Sequence, residues 1–297
     1  TKDKKPSKEM LDTIDVLCID IQDGGSRFYT YIYTMAYAMM ACKEHNKEFV
    51  VFDRPNPINA TDYEGNILDI EYRSFVGYYP ILQRHGMTIA ELAKMFNEEY
   101  QIGCNLHLVL MSEYDRSKYY DEYDKIWVFP SPNYPTIATG IVYNCTCIFE
   151  GTNISEGRGT TLPFEIVGAP FIEGKDLANK LNSFHFDGVY FRELYFTPTF
   201  SKHENKLCSV VQLHITNRKT FKPVKVGWAM LDVIRHMYPH DFAINPPYKE
   251  GGHCMLEFNT GCDYIFNDKY PLEKQFAILE LQTKEFGKIR QKYLLYR

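Results

Sequence analysis

The stretch Glu150-Gly-Thr-Asn-Ile-Ser-Glu156-Gly-Arg158-Gly-Thr-Thr places two carboxylates, a guanidinium, an amide and several hydroxyls on one loop punctuated by Gly151, Gly157 and Gly159. Glycines at such spacing allow positive φ or a close approach of backbone to ligand, and no apolar periodicity turns the polar side chains inward. A solvated turn with an internal Glu–Arg pair has the same composition. Function is favoured here because other segments repeat the pattern, with polar residues delivered at the ends of apolar runs.

Those runs read as strands. Ile14 to Ile19 is nearly all apolar and leads through Asp20 into Gln22-Asp23-Gly-Gly-Ser-Arg27, ahead of a helical stretch from Phe28 to Ala41. Glu48 to Phe52 is a second strand, stopped by Asp53-Arg54-Pro-Asn56-Pro57. Leu106 to Leu110 and Ile126 to Phe129 give a third and fourth, the last entering Pro130-Ser-Pro-Asn133-Tyr-Pro135. A capping box, Thr88 with Glu91, opens a helix between them. Ile141 to Phe149 reads as a further strand, with Cys145 and Cys147 on one face. Beyond the glycine loop, helices are expected over 174–182, 223–238 and from 272 on, with strands over 188–196 and 209–214.

Strands alternating with helices imply an α/β fold: a Rossmann-like, largely parallel sheet (residues 1–173) joined to a second, smaller α+β C-terminal domain (residues 174–297). In such sheets ligands bind beyond the carboxyl ends of the strands, where the polar loops fall. No G-x-G-x-x-G follows a strand and no Walker A sequence occurs, so a nucleotide is not implied.

Cleaving a glycosidic bond requires one carboxylic acid to protonate the leaving oxygen and a second carboxylate as nucleophile or base. Candidates are Glu64, Glu150, Glu156, Asp20 and Asp23, with no pairing among them fixed by sequence. Arg27, Arg54, Arg84 and Arg158 exceed what such a pair needs, and guanidinium binds carboxylate bidentately, so an acidic sugar or another acidic small molecule fits.

With 297 residues the chain can bury a substantial core, and its net charge of -5 without a basic stripe argues against nucleic acid. Aromatic residues make up 15%, which leans towards sugar stacking but equally fills cores. No apolar run is long enough for a transmembrane segment, and the first residues do not read as a signal peptide. The 8 cysteines are scattered, and neither H-E-x-x-H nor paired C-x-x-C occurs, so buried thiols and no metal or cofactor are expected. His214 reads as structural, and His203, His236 and His240 as solvated.

The same residues carry a resemblance. The segments Asp20-Ile-Gln-Asp-Gly-Gly-Ser-Arg-Phe-Tyr-Thr-Tyr, Asp53-Arg-Pro-Asn-Pro, Phe75-Val-Gly-Tyr-Tyr-Pro with Arg84-His-Gly-Met-Thr, Pro130-Ser-Pro-Asn and Glu150 to Thr160 run in one order along nearly the whole chain. Together they resemble the exo-acting β-N-acetylmuramidases of the NamZ type, long catalogued as a domain of unknown function. The resemblance implies a Rossmann-like domain with a smaller C-terminal one, and release of N-acetylmuramic acid from non-reducing ends of peptidoglycan fragments. Muramyl saccharides from peptidoglycan would be the ligand, and a periplasmic or extracellular location would follow. It makes Glu64, Glu150 and Glu156 catalytic candidates, with Asp20 and Asp23 in reserve. Arg27, Arg54, Asn56, Arg84, His85, Asn133, Asn153 and Arg158 become substrate contacts, and the lactyl carboxylate suits the arginines.

One departure from the family is that its members usually begin with a further α/β segment carrying a Ser-Pro-Glu-His-Gly-like motif, which nothing here matches. An open sheet edge is expected in consequence. The alternative to a hydrolase is a non-catalytic protein binding muramyl sugars or peptidoglycan. A third reading, ester hydrolysis by Ser131 or Ser155, lacks a G-x-S-x-G elbow.

Overall fold

The structure, a computed structural model, describes residues 4–296. The short helix α1 (Lys8–Leu11) leads into β1 (Val16–Ile19), α2 (Tyr31–Glu44), β2 (Glu48–Phe52), α3 (Ile89–Glu98) and β3 (Asn105–Val109). The three strands form a parallel sheet in the order β1-β2-β3, with Val16 opposite Glu48 and Phe49 opposite Leu106. Alternation decides its faces. Ile19, Phe49 and Val51 turn into a core shared with Ile32, Met35 and Met39 of α2 and Leu92 and Phe96 of α3, whereas Val16, Phe52 and Val109 stay exposed. β1 and β3 are the edge strands of this sheet among the described residues.

The capping box forms as expected: Thr88 Oγ1 accepts the Glu91 N–H, and the Glu91 carboxylate accepts the Thr88 N–H. It is anchored to β2 by Asp53, whose carboxylate accepts the Thr88 hydroxyl at 2.8 Å and the Ala90 N–H at 2.9 Å.

The second lobe holds α4 (Ile137–Thr146), β4 (Ile166–Ala169), α5 (Gly174–Asn182), β5 (Val189–Phe196), β6 (Cys208–Ile215), α6 (Pro223–Met237), α7 (Met255–Thr260) and α8 (Asp263–Phe266). Its sheet is antiparallel in the order β4-β6-β5, so β4 joins it from upstream of residue 174. α4 and α6 cross closely at Gly227, where an added Cβ would stand 2.2 Å from the Cys145 carbonyl oxygen. The last helix, α9 (Leu272–Arg290), ties the lobes together, with Leu279 in the second core and Phe286 in the first.

Two expected strands are corrected. Residues 126–129 form no strand: Ile126 and Val128 are 87% and 74% exposed, and Pro130 and Pro132, which follow, cannot donate to a ladder. The run expected as a strand over 141–149 is helix α4 followed by a 3-10 turn, Cys147–Gly151. Thr136 starts the helix by accepting the Thr139 N–H, and α4 is buried on nearly every side. An apolar run buried all round has no face contrast from which its period can be read. Cys145 and Cys147 therefore do not share a strand face.

Candidate active site

The glycine loop leaves the 3-10 turn and folds back on itself, with Gly157 and Gly159 both at positive φ, +83° and +82°. This reversal brings its charged groups together. Arg158 lies between the two carboxylates, its Nη2 2.5 Å from Glu150 Oε1 and its Nε 3.3 Å from Glu156 Oε1. Lys202 closes the cluster by donating to Glu156 Oε2 at 2.8 Å and to the Phe149 and Ile154 carbonyls at 2.7 and 2.8 Å. Glu156 is buried, whereas the side chains of Glu150 and Arg158 keep 24% and 31% exposure. Burial lowers the affinity of Arg158 for its proton, yet the two carboxylates outweigh it and hold its pKa above the ordinary value. The Cys147 thiol, 3.7 Å from Glu150 Oε2, is pushed well up by burial and then by that carboxylate.

A second polar group sits where the chain leaves β1. Asp23 Oδ2 accepts the Gly25 N–H at 2.8 Å, and Oδ1 is buried without a hydrogen-bond partner among the described residues. His85 Nδ1 accepts the Met87 N–H, which leaves the ring proton on Nε2. That Nε2 stands 3.3 Å from Asp23 Oδ2, within ion-pair reach but not aligned for a hydrogen bond. Aromatic rings join the two groups. The Tyr29 ring is 6.2 Å from Tyr143, Tyr143 is 4.6 Å edge-on to Phe164, and Arg158 lies 5.0 Å over Phe164. Tyr134 donates its hydroxyl to the Gly24 carbonyl and packs on Tyr29.

Several expected contacts have other work. Arg27 is fully buried and donates to the carbonyls of Asn66, Ile81, Asn259 and Thr260, which saturates both terminal nitrogens and joins the lobes. Burial without a carboxylate pushes its pKa down to about 10. Arg84 is likewise buried, on the Ile58 carbonyl and Asp62. Asn56 bridges the Met87 carbonyl and the Ile58 N–H, and Asn153 grips the Asp241 carbonyl and the Ala243 N–H. Glu64 is also buried, its oxygens taken by the first N–H groups of α6. Asn133 is half-buried, and its N–H donates to Ser131 Oγ.

Arg54 differs from Arg27 and Arg84. It is 40% exposed at the carboxyl end of β2, its Nε on Asp20 at 2.5 Å and its terminal nitrogens without a protein partner among the described residues. His203, expected to be solvated, bonds the Asn153 carbonyl at 2.7 Å. Lys202 and Tyr143 were not signalled by the sequence, because each lies in an ordinary polar or aromatic run, and Tyr29 stood only within the motif Asp20 to Tyr31 with no role of its own. Three side chains of metal-binding type lie close together on the surface, Asp232, His236 and Asp268, with Asp268 also 3.4 Å from Arg235.

Two α/β lobes with a glycine loop of paired carboxylates and guanidinium, backed by tyrosines, have the make-up of a sugar-acting hydrolase. Sequence comparison is more specific. The profile described as "Exo-beta-N-acetylmuramidase NamZ, N-terminal" matches residues 1–138, and its C-terminal counterpart matches residues 141–296. The chain belongs to the exo-β-N-acetylmuramidase NamZ family. It is 48% identical over 295 residues to the peptidoglycan beta-N-acetylmuramidase NamZ of Bacillus subtilis (strain 168), covering 99% of this chain and 70% of that protein. Two crystal structures of DUF1343 family proteins from Bacteroides fragilis NCTC 9343 are similar. One has a TM-score of 0.90 at 33% identity, over 99% of this chain and 78% of its own. The other has a TM-score of 0.75 at 31% identity, over 98% of this chain and 78% of its own.

Proposed function

We propose that this protein is an exo-β-N-acetylmuramidase that releases N-acetylmuramic acid from the non-reducing end of peptidoglycan fragments in cell-wall turnover. The observation that carries it is the 48% identity, across 99% of this chain, to a peptidoglycan β-N-acetylmuramidase. The geometry supports a division of roles. Both carboxylates of the glycine loop bind Arg158, but Glu150 keeps solvent access, whereas Glu156 is buried and also takes Lys202. Glu150 therefore faces the substrate, and Glu156 holds the cations that position the loop. Asp23 and His85 lie buried as a pair behind Tyr29 and act on the site by positioning.

Recognition of the lactyl carboxylate falls to Arg54. Its open pair of terminal nitrogens can take a carboxylate bidentately, while Asp20 fixes the plane of the guanidinium from the Nε side. Arg158 is less suited, because Glu150 and Glu156 already flank it with negative charge.

The test is incubation with an N-acetylmuramyl-N-acetylglucosamine disaccharide, following released monosaccharides by mass spectrometry. Release that is lost in folded Glu150→Gln supports the reading. Sugar binding with no release would replace it with a muramyl-sugar-binding protein. The substrate also motivates a proposed periplasmic or extracellular location, to be checked by cell fractionation.

A further inference from the structure

The loop between β5 and β6, residues 197–207, lies against the glycine loop from Phe149 to Gly159. The two backbones touch: a Cβ added to Gly159 would stand 2.2 Å from the Phe200 carbonyl oxygen. The Thr199 N–H and hydroxyl both donate to the Gly159 carbonyl, at 2.9 and 3.1 Å. His203 donates from Nε2 to the Asn153 carbonyl at 2.7 Å. Between them, Lys202 gives its three N–H groups to the Phe149 carbonyl, the Ile154 carbonyl and Glu156 Oε2. Ser201, His203 and Asn205 stand at positive φ, +73°, +57° and +57°, a backbone conformation that a Cβ disfavours and that these contacts must hold.

Charge sets Lys202 apart from the other contacts. Positive and negative groups alternate in one row, Lys202, Glu156, Arg158 and Glu150. Arg158 Nε is shared, 3.2 Å from Glu150 Oε1 and 3.3 Å from Glu156 Oε1, while Nη2 donates to Glu150. Glu156 is buried, so its charge must be compensated close by. With Lys202 on Oε2 that need is met, and Arg158 can lean outward onto Glu150. Without Lys202, Arg158 is the one cation left to Glu156 among the described residues, and attraction across a low dielectric draws it inward, off Glu150.

We propose that Lys202 is a positioning residue: by compensating Glu156 it keeps the Arg158 guanidinium on Glu150, and so sets the carboxylate that faces the substrate. Its kinetic consequence rests on the muramidase reading, whereas its hold on the glycine loop does not.

Amide hydrogen exchange and turnover of the muramyl disaccharide, read side by side on the whole chain, test it. Lys202→Met should speed exchange of the Ser155, Gly157 and Phe164 amides, all bonded within or beside the glycine loop, by about tenfold or more, with β2 unaffected. It should lower kcat about 10- to 100-fold with KM within about twofold. Adding Glu156→Gln removes the charge that draws Arg158 inward, so the double variant should regain about fivefold or more in both readouts. Loss of the carbonyl contacts alone predicts no such recovery. Lys202→Gln keeps an amide donor without the charge, and with and without Glu156→Gln it gives the same comparison if Lys202→Met does not fold. Exchange that stays unchanged in the Lys202 variants, or is not restored by Glu156→Gln, overturns the proposal, as does a change confined to KM. Exchange that responds and is restored, with no release of N-acetylmuramic acid even by the natural chain, keeps the role of Lys202 and sinks the muramidase reading; release without that response does the reverse.

Discussion

Glu64 Oε1 accepts the backbone N–H of Lys225 at 2.8 Å, across 161 residues of sequence, while Oε2 accepts the Val224 N–H at 3.2 Å. Helix α6 begins with Pro223 and has no side-chain cap of its own, so the carboxylate that satisfies its first turn comes from the other lobe. A helix N-terminus favours an anion. Burial nevertheless outweighs these N–H bonds and the nearby Arg84, and raises the Glu64 carboxyl above its ordinary 4.5.

Removing that cap leaves two buried N–H groups without acceptors. Glu64→Ala should lose about 2–3 kcal/mol of stability, read as a lower denaturant midpoint with the slope unchanged. A loss under about 0.5 kcal/mol, the range of ordinary surface substitutions, would show that water replaces the carboxylate at no cost.

The raised carboxyl also fixes a pH dependence. Above pH 4.5 the folded chain holds the Glu64 proton longer than the unfolded chain does, so this group makes stability fall as pH rises through that window. Glu64→Gln has no such proton. The stability of the natural chain minus that of Glu64→Gln should therefore decline as pH rises from 4.5. A difference that stays flat or grows would reverse the assignment.

Arg27 should behave as a strut between the lobes. Arg27→Ala strips four carbonyls of their donor in a fully buried place and should cost more than about 3 kcal/mol. Arg27→Lys cannot reach all four in one plane and should recover only part of this. Thermal unfolding of the two variants decides it; equal midpoints for Arg27→Lys and the natural chain would refute the strut.

Arg54 should show the opposite profile. Because its terminal nitrogens have no protein partner among the described residues, Arg54→Ala should leave the unfolding midpoint almost unchanged. It should lower kcat/KM on a muramyl substrate by about 10- to 100-fold, the worth of a charge-assisted bond, mainly through KM. Unaltered kinetics would remove Arg54 from substrate recognition.

The two glutamates of the glycine loop should separate. Glu156→Gln leaves the Lys202 charge without a carboxylate, while Arg158 keeps Glu150, and should cost about 2 kcal/mol or more. Glu150→Gln leaves Arg158 its contact with Glu156, so its main loss should be in kcat with a smaller change in stability. Equal stability losses in both, with turnover retained in Glu150→Gln, would contradict the division of roles.

Much of the parallel sheet was legible because its signals are local. The apolar runs that became β1, β2 and β3, and the Thr88–Glu91 box, each depend on neighbours within a few residues. The glycine loop was legible for the same reason, since positive φ at Gly157 and Gly159 is a property of the residue itself. α4 was not, because burial on all sides erases the periodicity that separates helix from strand.

The sequence by itself determined the family motifs, the α/β order and which side chains carry charge. Which of those charges remain free was decided only by tertiary structure. Arg27, Arg54 and Arg84 look equivalent in the chain, yet carbonyls from positions as distant as Asn259 and Thr260 converge on Arg27 and, among the described residues, none reaches the open edge of Arg54. A buried donor must be satisfied by whatever acceptors the fold brings to it, and those acceptors are backbone atoms that every residue type presents alike. For that reason the composition of the polar loops announced a site, whereas the difference between a strut and a ligand contact appeared only when the lobes closed around them.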